Sequence, residues 1–326
     1  MVSRNLQYIG PGHRMSTASN WETFGAASGA PVAGDTAYIR NGTVCTAGEG
    51  AGVNVRLNNG TLNMTNGSIN TITVDTAQYS ATMPGYGTLG VTGRVVGTGY
   101  IGLGAWKQAP DTLNIILASH SAYVNQGVVR IENGSHLVAT GKHQSDGLHA
   151  RFENDSRVEV NSEGTVRFNA DVTGTGLIRF GMTPIAAMPG VGHGVFAGAV
   201  SSGQTVAIDL GTVELDQALS FAGTIVLNRH MAPVGGSDNP SLDYGSVLLK
   251  YSTATTASLS AGGELTLRDN GRLVADLKFA PTQGNASLWV MEQGNGDGKV
   301  DSTVISGHFI PGFSEVPVSL VPVRLS

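Results

Sequence analysis

The sequence predicts an all-β chain wound as a right-handed parallel β-helix, a solenoid with capped ends, and three features predict it. Glycine fills 46 of the 326 positions, about twice the usual share. Helical periodicity is missing, because no apolar i, i+3, i+4, i+7 pattern runs for a dozen residues without a glycine. In its place a short phrase recurs, a turn residue followed by Gly-x-φ-x-φ, where φ is apolar.

The phrase is loose in Asn41-Gly42-Thr43-Val44-Cys45-Thr46 and clean in Asn59-Gly60-Thr61-Leu62-Asn63-Met64 and Asn66-Gly67-Ser68-Ile69. It returns in Asn133-Gly134-Ser135-His136-Leu137-Val138, and with Asp for Gly in Asn154-Asp155-Ser156-Arg157-Val158-Glu159-Val160. Glu163-Gly164-Thr165-Val166-Arg167-Phe168, Gly263-Glu264-Leu265-Thr266-Leu267 and Asn270-Gly271-Arg272-Leu273 continue it. Alternation of apolar and polar residues marks half-buried strands, and Asn or Gly suits the corners because both tolerate positive φ. A second phrase occurs twice, as Gly97-Thr98-Gly99-Tyr100-Ile101-Gly102-Leu103-Gly104 and Gly174-Thr175-Gly176-Leu177-Ile178-Arg179-Phe180-Gly181.

Neighbouring phrases fall into a short step (60 to 67, 155 to 164, 263 to 271) and a long one (42 to 60, 134 to 155). The short step fits one strand and its turn. Two or three such steps make a coil of roughly 20 residues, a period at which repeats signal solenoids. A β-sandwich or barrel also spaces short strands this closely, and it is the alternative. The two Gly-Thr-Gly phrases begin at Gly97 and Gly174, a separation that is not a clean multiple of the coil.

Composition excludes several classes. Hydrophobic residues are 40% and charged residues 13% of the chain, so it can build a core and is not disordered. The net charge is −5 and no Lys/Arg run occurs, which argues against a nucleic-acid partner. No stretch reaches the ~20 apolar residues of a membrane-spanning helix, so no membrane span is expected. Cys45 stands alone, which rules out an internal disulfide framework, and it reads as a small apolar residue buried on a strand. The N-terminal stretch through Gly25 lacks the apolar run of a secretory signal, with Gly10-Pro11-Gly12 across it, so synthesis in a cytoplasm without a signal peptide is expected.

Asn20-Trp21, then Pro31, Gly34-Asp35-Thr36-Ala37 and Ile39, then Asn41-Gly42-Thr43-Val44, resembles the opening of bacterial autotransporter and haemagglutinin-type β-helix passengers. Tyr244-Gly245-Ser246-Val247-Leu248-Leu249 is similar to their closing coils. The chain departs from that pattern in lacking a signal and a C-terminal membrane barrel of alternating strands. Phage tailspikes, head fibres and capsid-decorating proteins use similar folds without a signal. The resemblance to that group implies a non-enzymatic virion surface protein, a capsid decoration or short spike, assembled as a homotrimer. Its partners would be capsid or tail proteins, with a host-surface glycan as a further one. A polysaccharide-degrading tailspike and a secreted β-helical adhesin are the alternatives.

No residue is assigned a catalytic, cofactor-binding or metal-binding role, but several groups are candidates. Glu153, Asp155, Glu159, Glu163 and Asp171 fall on neighbouring coils and could pair as the two carboxylates of a glycan-cleaving site. Aromatics are only 6%, and Trp106 and Trp289 sit in unrelated contexts, so these carboxylates read as outward polar positions. His143, Asp146 and His149, with Ser145 between them, have the residue types of a zinc site or a triad, but no third firm ligand follows. Asn295-Gly296-Asp297-Gly298-Lys299-Val300-Asp301 echoes a calcium loop, yet Gln293 and Val304 stand where the first and twelfth ligands belong. The Gly-Thr-Gly phrases lack the Lys-Ser/Thr of a phosphate loop.

Three regions follow from this reading. Residues 1–35 are an N-terminal anchor and cap, loosely held ahead of the first coil. Residues 36–310 form the β-helix body, and 311–326 a Pro-rich segment for an edge or for oligomerisation.

Overall fold

The computed structural model describes residues 4–10, 12–23, 29–47, 52–74, 84–104, 109–141, 149–181, 191–227, 245–280, 288–294, 300–306, 314–316 and 318–321. Among them the chain is all-β. Its only helical pieces are two single 3-10 turns, Ala18–Asn20 and Ala218–Ser220. The strands form a large, mostly parallel sheet that does not close on itself, so they do not form the barrel of the sequence alternative, and the pairing is consistent with a β-solenoid. Two compact units divide the chain, residues 1–159 with 163–173, and 160–162 with 174–326.

The first unit is built from three parallel ladders. In the first, Thr36–Arg40 pairs with Asn54–Asn58, which pairs with the end of the long strand Gly60–Val74. The end of Gly85–Leu103 and then Val128–Ile131 continue it. The second ladder runs from Thr43–Thr46 through the starts of the two long strands to Asp111–Leu117, His136–Gly141 and Thr165–Asn169. The third uses the middles of the long strands, then Ala122–Asn125, Arg151–Asn154 and Asp171–Thr173. A long strand serves three ladders because it turns corners, at Asn66 and Gly67 with φ of 58° and 106°, and at Gly93 with φ of 71°.

The core follows from the period-2 alternation. Leu62, Leu89, Ile115, Ala139 and Phe168 are register partners in one inward column, and all are fully buried. Val95, Tyr123, Phe152 and Val172 form another. Here the rings of Tyr123 and Phe152 lie 5.5 Å apart, and those of Phe152 and Phe168 5.1 Å. Each buried Leu, Ile or Phe stabilises the stack by about 1.5–3 kcal/mol relative to exposure.

The coil length predicted from sequence is close to the observed one. Thr36 pairs with Asn54, Thr43 with Thr61 and Asn54 with Thr71. In the second unit Gly192 pairs with Gly211, and Thr205 with Thr224. Each of these steps is slightly shorter than the coil of roughly 20 residues that the repeat implies. Thr112 to His136 is a longer step made wholly of described residues, while other longer steps enclose undescribed ones. Gly60 to Gly87 encloses 75–83, Leu177 to Thr205 encloses 182–190, and Gly211 to Gly245 encloses 228–244. Setting those segments aside returns each step to the length of the short ones. The interval between the Gly-Thr-Gly phrases at Gly97 and Gly174 also encloses undescribed residues, 105–108 and 142–148.

The corner chemistry is also observed. Asn41, Asn59, Asn66, Asn133 and Asn270 all have positive φ. Asn59 Nδ2 donates to Asn41 Oδ1 at 2.9 Å, so adjacent corners stack their amides. Asn154 differs from the expectation, since it lies within a strand, is buried, and accepts from Asn125 Nδ2 at 2.9 Å.

The second unit starts with two parallel ladders and then changes. Leu177–Phe180, Thr205–Ile208 and Thr224–Leu227 form one, and Gly192–Phe196, Gly211–Leu215 and Gly245–Lys250 the other. Gly245–Lys250 is parallel on one side and antiparallel to Val300–Ser306 on the other. Beyond it Thr256–Ser260, Glu264–Asp269 and Arg272–Phe279 form an antiparallel meander, and Trp289–Gly294 pairs antiparallel with Val300–Ser306 and Ser314–Val316. The phrases at Gly263 and Asn270-Gly271 are therefore hairpin turns, not coil corners. Positive φ suits both uses equally.

The two ends are bonded into their own units. Asn5–Tyr8 lies parallel to Thr36–Arg40 and antiparallel to Trp21–Thr23. Trp21 is buried and donates through Nε1 to Met15 O at 2.8 Å, and Arg4 holds Asp35 at 2.6 Å. The N-terminal stretch, expected to be loose from its glycines, is bonded to the first ladder through Asn5–Tyr8 and Trp21–Thr23 and to Cys45 of the second ladder through His13 and Met15. In the tail, Val318–Val321 pairs parallel with Ala257–Ser260.

Candidate functional site: the charged outward face

Outward positions of the first ladder place side chains in register along one face. Gln7, Tyr38, Arg56, Thr73, Gly102 and Arg130 are successive partners in one column. Asn5, Thr36, Asn54, Thr71, Tyr100 and Val128 form the column beside it. Arg157–Val160 pairs with Val128–Ile131 and adds Arg157 and Glu159.

Two kinds of contact organise this face. The Arg56 guanidinium carbon sits 5.4 Å from the centroid of the Tyr38 ring, a cation–π arrangement. The Tyr100 ring lies against Gly102, where a Cβ would collide with the ring, so glycine makes room for it. Arg130 reaches Glu159 at 2.9 Å and Glu132 at 3.9 Å, and Arg157 reaches Glu159 at 3.1 Å. Glu159 is buried between two guanidiniums. Burial pushes the Glu132 carboxyl up from its ordinary value, and the negative charge of Glu159 adds to that against Arg130. Burial also raises the Tyr100 phenol.

The third ladder carries a second charged group. Arg94 bonds Glu153 through both terminal nitrogens, at 2.8 and 3.2 Å, across the intervening strand Ala122–Asn125. Ala122 and Val124 beneath are buried. Arg94 hydrogen bonding, aided by Arg151, holds the Glu153 carboxyl below its ordinary value.

The candidate carboxylates are therefore dispersed. Glu153 and Glu159 belong to separate arginine clusters, Asp155 is exposed in a turn, and Glu163 is an exposed turn residue with φ of 64°. Asp171 is the register partner of Arg151. His143, Ser145 and Asp146 lie outside the described residues, as do Trp106 and Asn295–Lys299, while His149 is half-buried. Among the described residues no group of three His, Cys, Asp or Glu could hold a metal ion, and no helix is long and apolar enough to cross a membrane. Cys45 is on a strand as expected, but it faces outward and is half-exposed, because Val44 and Thr46 take the inward positions.

Sequence reasoning missed the arginines that neutralise these carboxylates. A signal was present for Arg130 though not for Arg94 or Arg157: arginine stands between two apolar residues in Val55-Arg56-Leu57, Val129-Arg130-Ile131, Val166-Arg167-Phe168 and Ile178-Arg179-Phe180. That pattern puts a guanidinium on the outward side of a strand. In the second unit Arg179 meets Asp209 at 2.6 Å in the same way, and Lys250 meets Glu214 at 3.0 Å.

In comparisons with protein-family models, with curated proteins and with solved structures, the chain finds no match.

Proposed function

We propose that the chain is a non-enzymatic surface protein of a bacteriophage virion. In this reading it is a right-handed parallel β-helix with capped ends that decorates the capsid or forms a short spike, as a homotrimer. The observation that carries it is the state of the carboxylates. Arg94 holds the Glu153 carboxyl below its ordinary value, so it is not poised to give up a proton to a leaving group, and Glu159 is buried in ion pairs with Arg130 and Arg157. These ion pairs instead brace neighbouring coils, as a display scaffold requires. Copurification with virions at a stoichiometry matching a symmetric lattice position tests the proposal, and absence from purified virions sinks it.

The polysaccharide-degrading alternative has one observation in its favour. Glu132, with its carboxyl raised by burial, shares Arg130 with Glu159, and two carboxyls in unlike surroundings can separate acid and base roles. Release of oligosaccharides from host capsule, abolished by Glu132→Gln, would support it. Intact capsule after incubation would remove it.

A further inference from the structure

We propose that Asn270 is a site of spontaneous covalent modification, where the side-chain amide is lost to the backbone nitrogen of Gly271. It reacts ahead of the other four Asn-Gly pairs among the described residues, at Asn41, Asn59, Asn66 and Asn133. Asn295-Gly296 lies outside the described residues. The inference is independent of the virion reading and rests on what holds each pair in place.

The chemistry is intramolecular and needs only water. The Gly271 amide nitrogen gives its proton to hydroxide and attacks Cγ of Asn270, closing a five-membered succinimide ring. The Cγ–Nδ2 bond breaks, and Nδ2 leaves as ammonia with a proton from water. Water then opens the ring at either carbonyl, giving Asp or isoaspartate, so the net change is a gain of water and a loss of ammonia. Glycine favours the attack because no side chain shields its nitrogen and its backbone turns freely. The two atoms must meet in an attack geometry, so a pair reacts only when its corner opens.

Four pairs are held by neighbouring coils. Asn59 Nδ2 donates to Asn41 Oδ1 at 2.9 Å, which ties both side chains. Gly42 O accepts from Thr61 N at 2.8 Å, and Gly60 is buried where a Cβ would collide with Ile39 O. Asn66 Oδ1 accepts from Arg94 N at 2.9 Å, and Asn133 Nδ2 donates to Gly104 O at 2.7 Å. Freeing any of these amides breaks a bond to a distant coil.

The fifth pair is held within its own meander. The Asn270 amide donates to the adjacent Asp269, Nδ2 to Oδ1 at 3.1 Å, and Asn270 N donates to Thr255 Oγ1 at 2.9 Å. Both Asn270 and Gly271 are exposed, which holds for none of the other four pairs. A Cβ on Gly271 would meet nothing within 4 Å. Asp269 and Arg272 close the turn as register partners, so opening it frees the tip while Leu265–Leu277 and Leu267–Ala275 stay paired. Arg268 Nη1 donates to Gly271 O at 3.0 Å, and its positive charge beside the turn favours the anionic nitrogen. Isoaspartate would put an extra methylene into the backbone of this two-residue turn, so the product should not restore the Asp269–Arg272 pairing.

Incubation of the intact chain in mildly alkaline buffer, followed by mass spectrometry of its chymotryptic peptides, tests this. The Arg268–Leu273 peptide should exchange amide for acid roughly tenfold faster than the peptides bearing Asn41, Asn59, Asn66 or Asn133. Part of that product should accept a methyl group from an isoaspartate methyltransferase. In concentrated urea the five rates should converge, because the preference belongs to the fold. Thr255→Ala removes the bond to Asn270 N and should speed the loss at Asn270 alone. The comparison of folded and urea-treated wild-type chain stays decisive if that variant unfolds. Equal rates in the folded chain, earlier loss at any of the four coil corners, the same preference persisting in urea, or a folded Thr255→Ala chain with an unmoved Asn270 rate would overturn the inference.

Discussion

The three ladders of residues 36–173 and the C-terminal strands from 256 onward use the same residues to opposite ends. In the ladders an Asn-Gly corner sends the chain on to a strand that pairs one coil later, as from Thr43 to Thr61. In the C-terminal region Asn270-Gly271 folds Glu264–Asp269 back on Arg272–Phe279. Parallel pairing places every outward residue above a distant one, so side chains form columns such as Asn41–Asn59 and Arg130–Glu159. Antiparallel pairing spends its contacts on sequence neighbours, as in Thr266 to Asp276 at 3.2 Å. Corner chemistry decides that the chain turns. It does not decide which way the next strand runs.

Truncating the core should separate the two regions most strongly. Phe152→Ala removes a ring packed against Tyr123 in the adjacent strand and against Phe168 in the second ladder, and should cost about 3–5 kcal/mol in denaturant melts. Hydrogen exchange should rise across several strands of the first unit. Leu267→Ala, equally buried, should cost about 2–4 kcal/mol, with faster exchange concentrated in the 256–279 meander. Equal spread of exchange in both variants would erase the distinction.

The charged columns come next. Glu159→Gln leaves Arg130 and Arg157 without their shared carboxylate and should cost about 1–3 kcal/mol, discounted because both guanidiniums are partly exposed. Tyr123→Phe should act in the opposite direction. The Tyr123 hydroxyl is buried without a hydrogen-bond partner, and burial raises its pKa, so its removal should stabilise the fold by about 1 kcal/mol in the same melts.

Much of the first unit was legible in the sequence, for reasons visible in particular residues. The corners at Asn41, Asn59, Asn66 and Asn133 were readable because few residues accept positive φ, and the inward columns because alternation fixes which side chains face in. The charged face was not legible. Arg94 and Glu153 are far apart in the chain, as are Arg130 and Glu159, and the sequence carries no mark of which distant residue becomes a register neighbour. The C-terminal meander was misread because Gly263 and Gly271 carry the same signal as a coil corner.

The smallest effects should depend on pH with opposite signs. Glu153 has its folded pKa lowered, so its contribution, about 0.5–1 kcal/mol, is present above the ordinary Glu range and lost as pH falls through the folded value. Glu153→Gln should therefore destabilise at pH 7 and become neutral in acid. Glu132 has its folded pKa raised, so its contribution is present in acid and lost as pH rises through the folded value. Glu132→Gln should stabilise slightly at pH 7, and melts across pH 3 to 8 would show whether the two curves diverge.

The parallel register itself can be tested by disulfide trapping, because the native Cys45 lies opposite Asn63 and Thr43 lies opposite Thr61. Parallel strands about 4.8 Å apart are within disulfide reach. Antiparallel pairing of the same strands would instead bring position 43 to 63 and position 45 to 61. The account predicts intramolecular disulfides for Asn63→Cys with native Cys45, and for Thr43→Cys with Thr61→Cys in a Cys45→Thr background. Disulfides forming instead between Cys45 and Thr61→Cys, or between Thr43→Cys and Asn63→Cys, would contradict it.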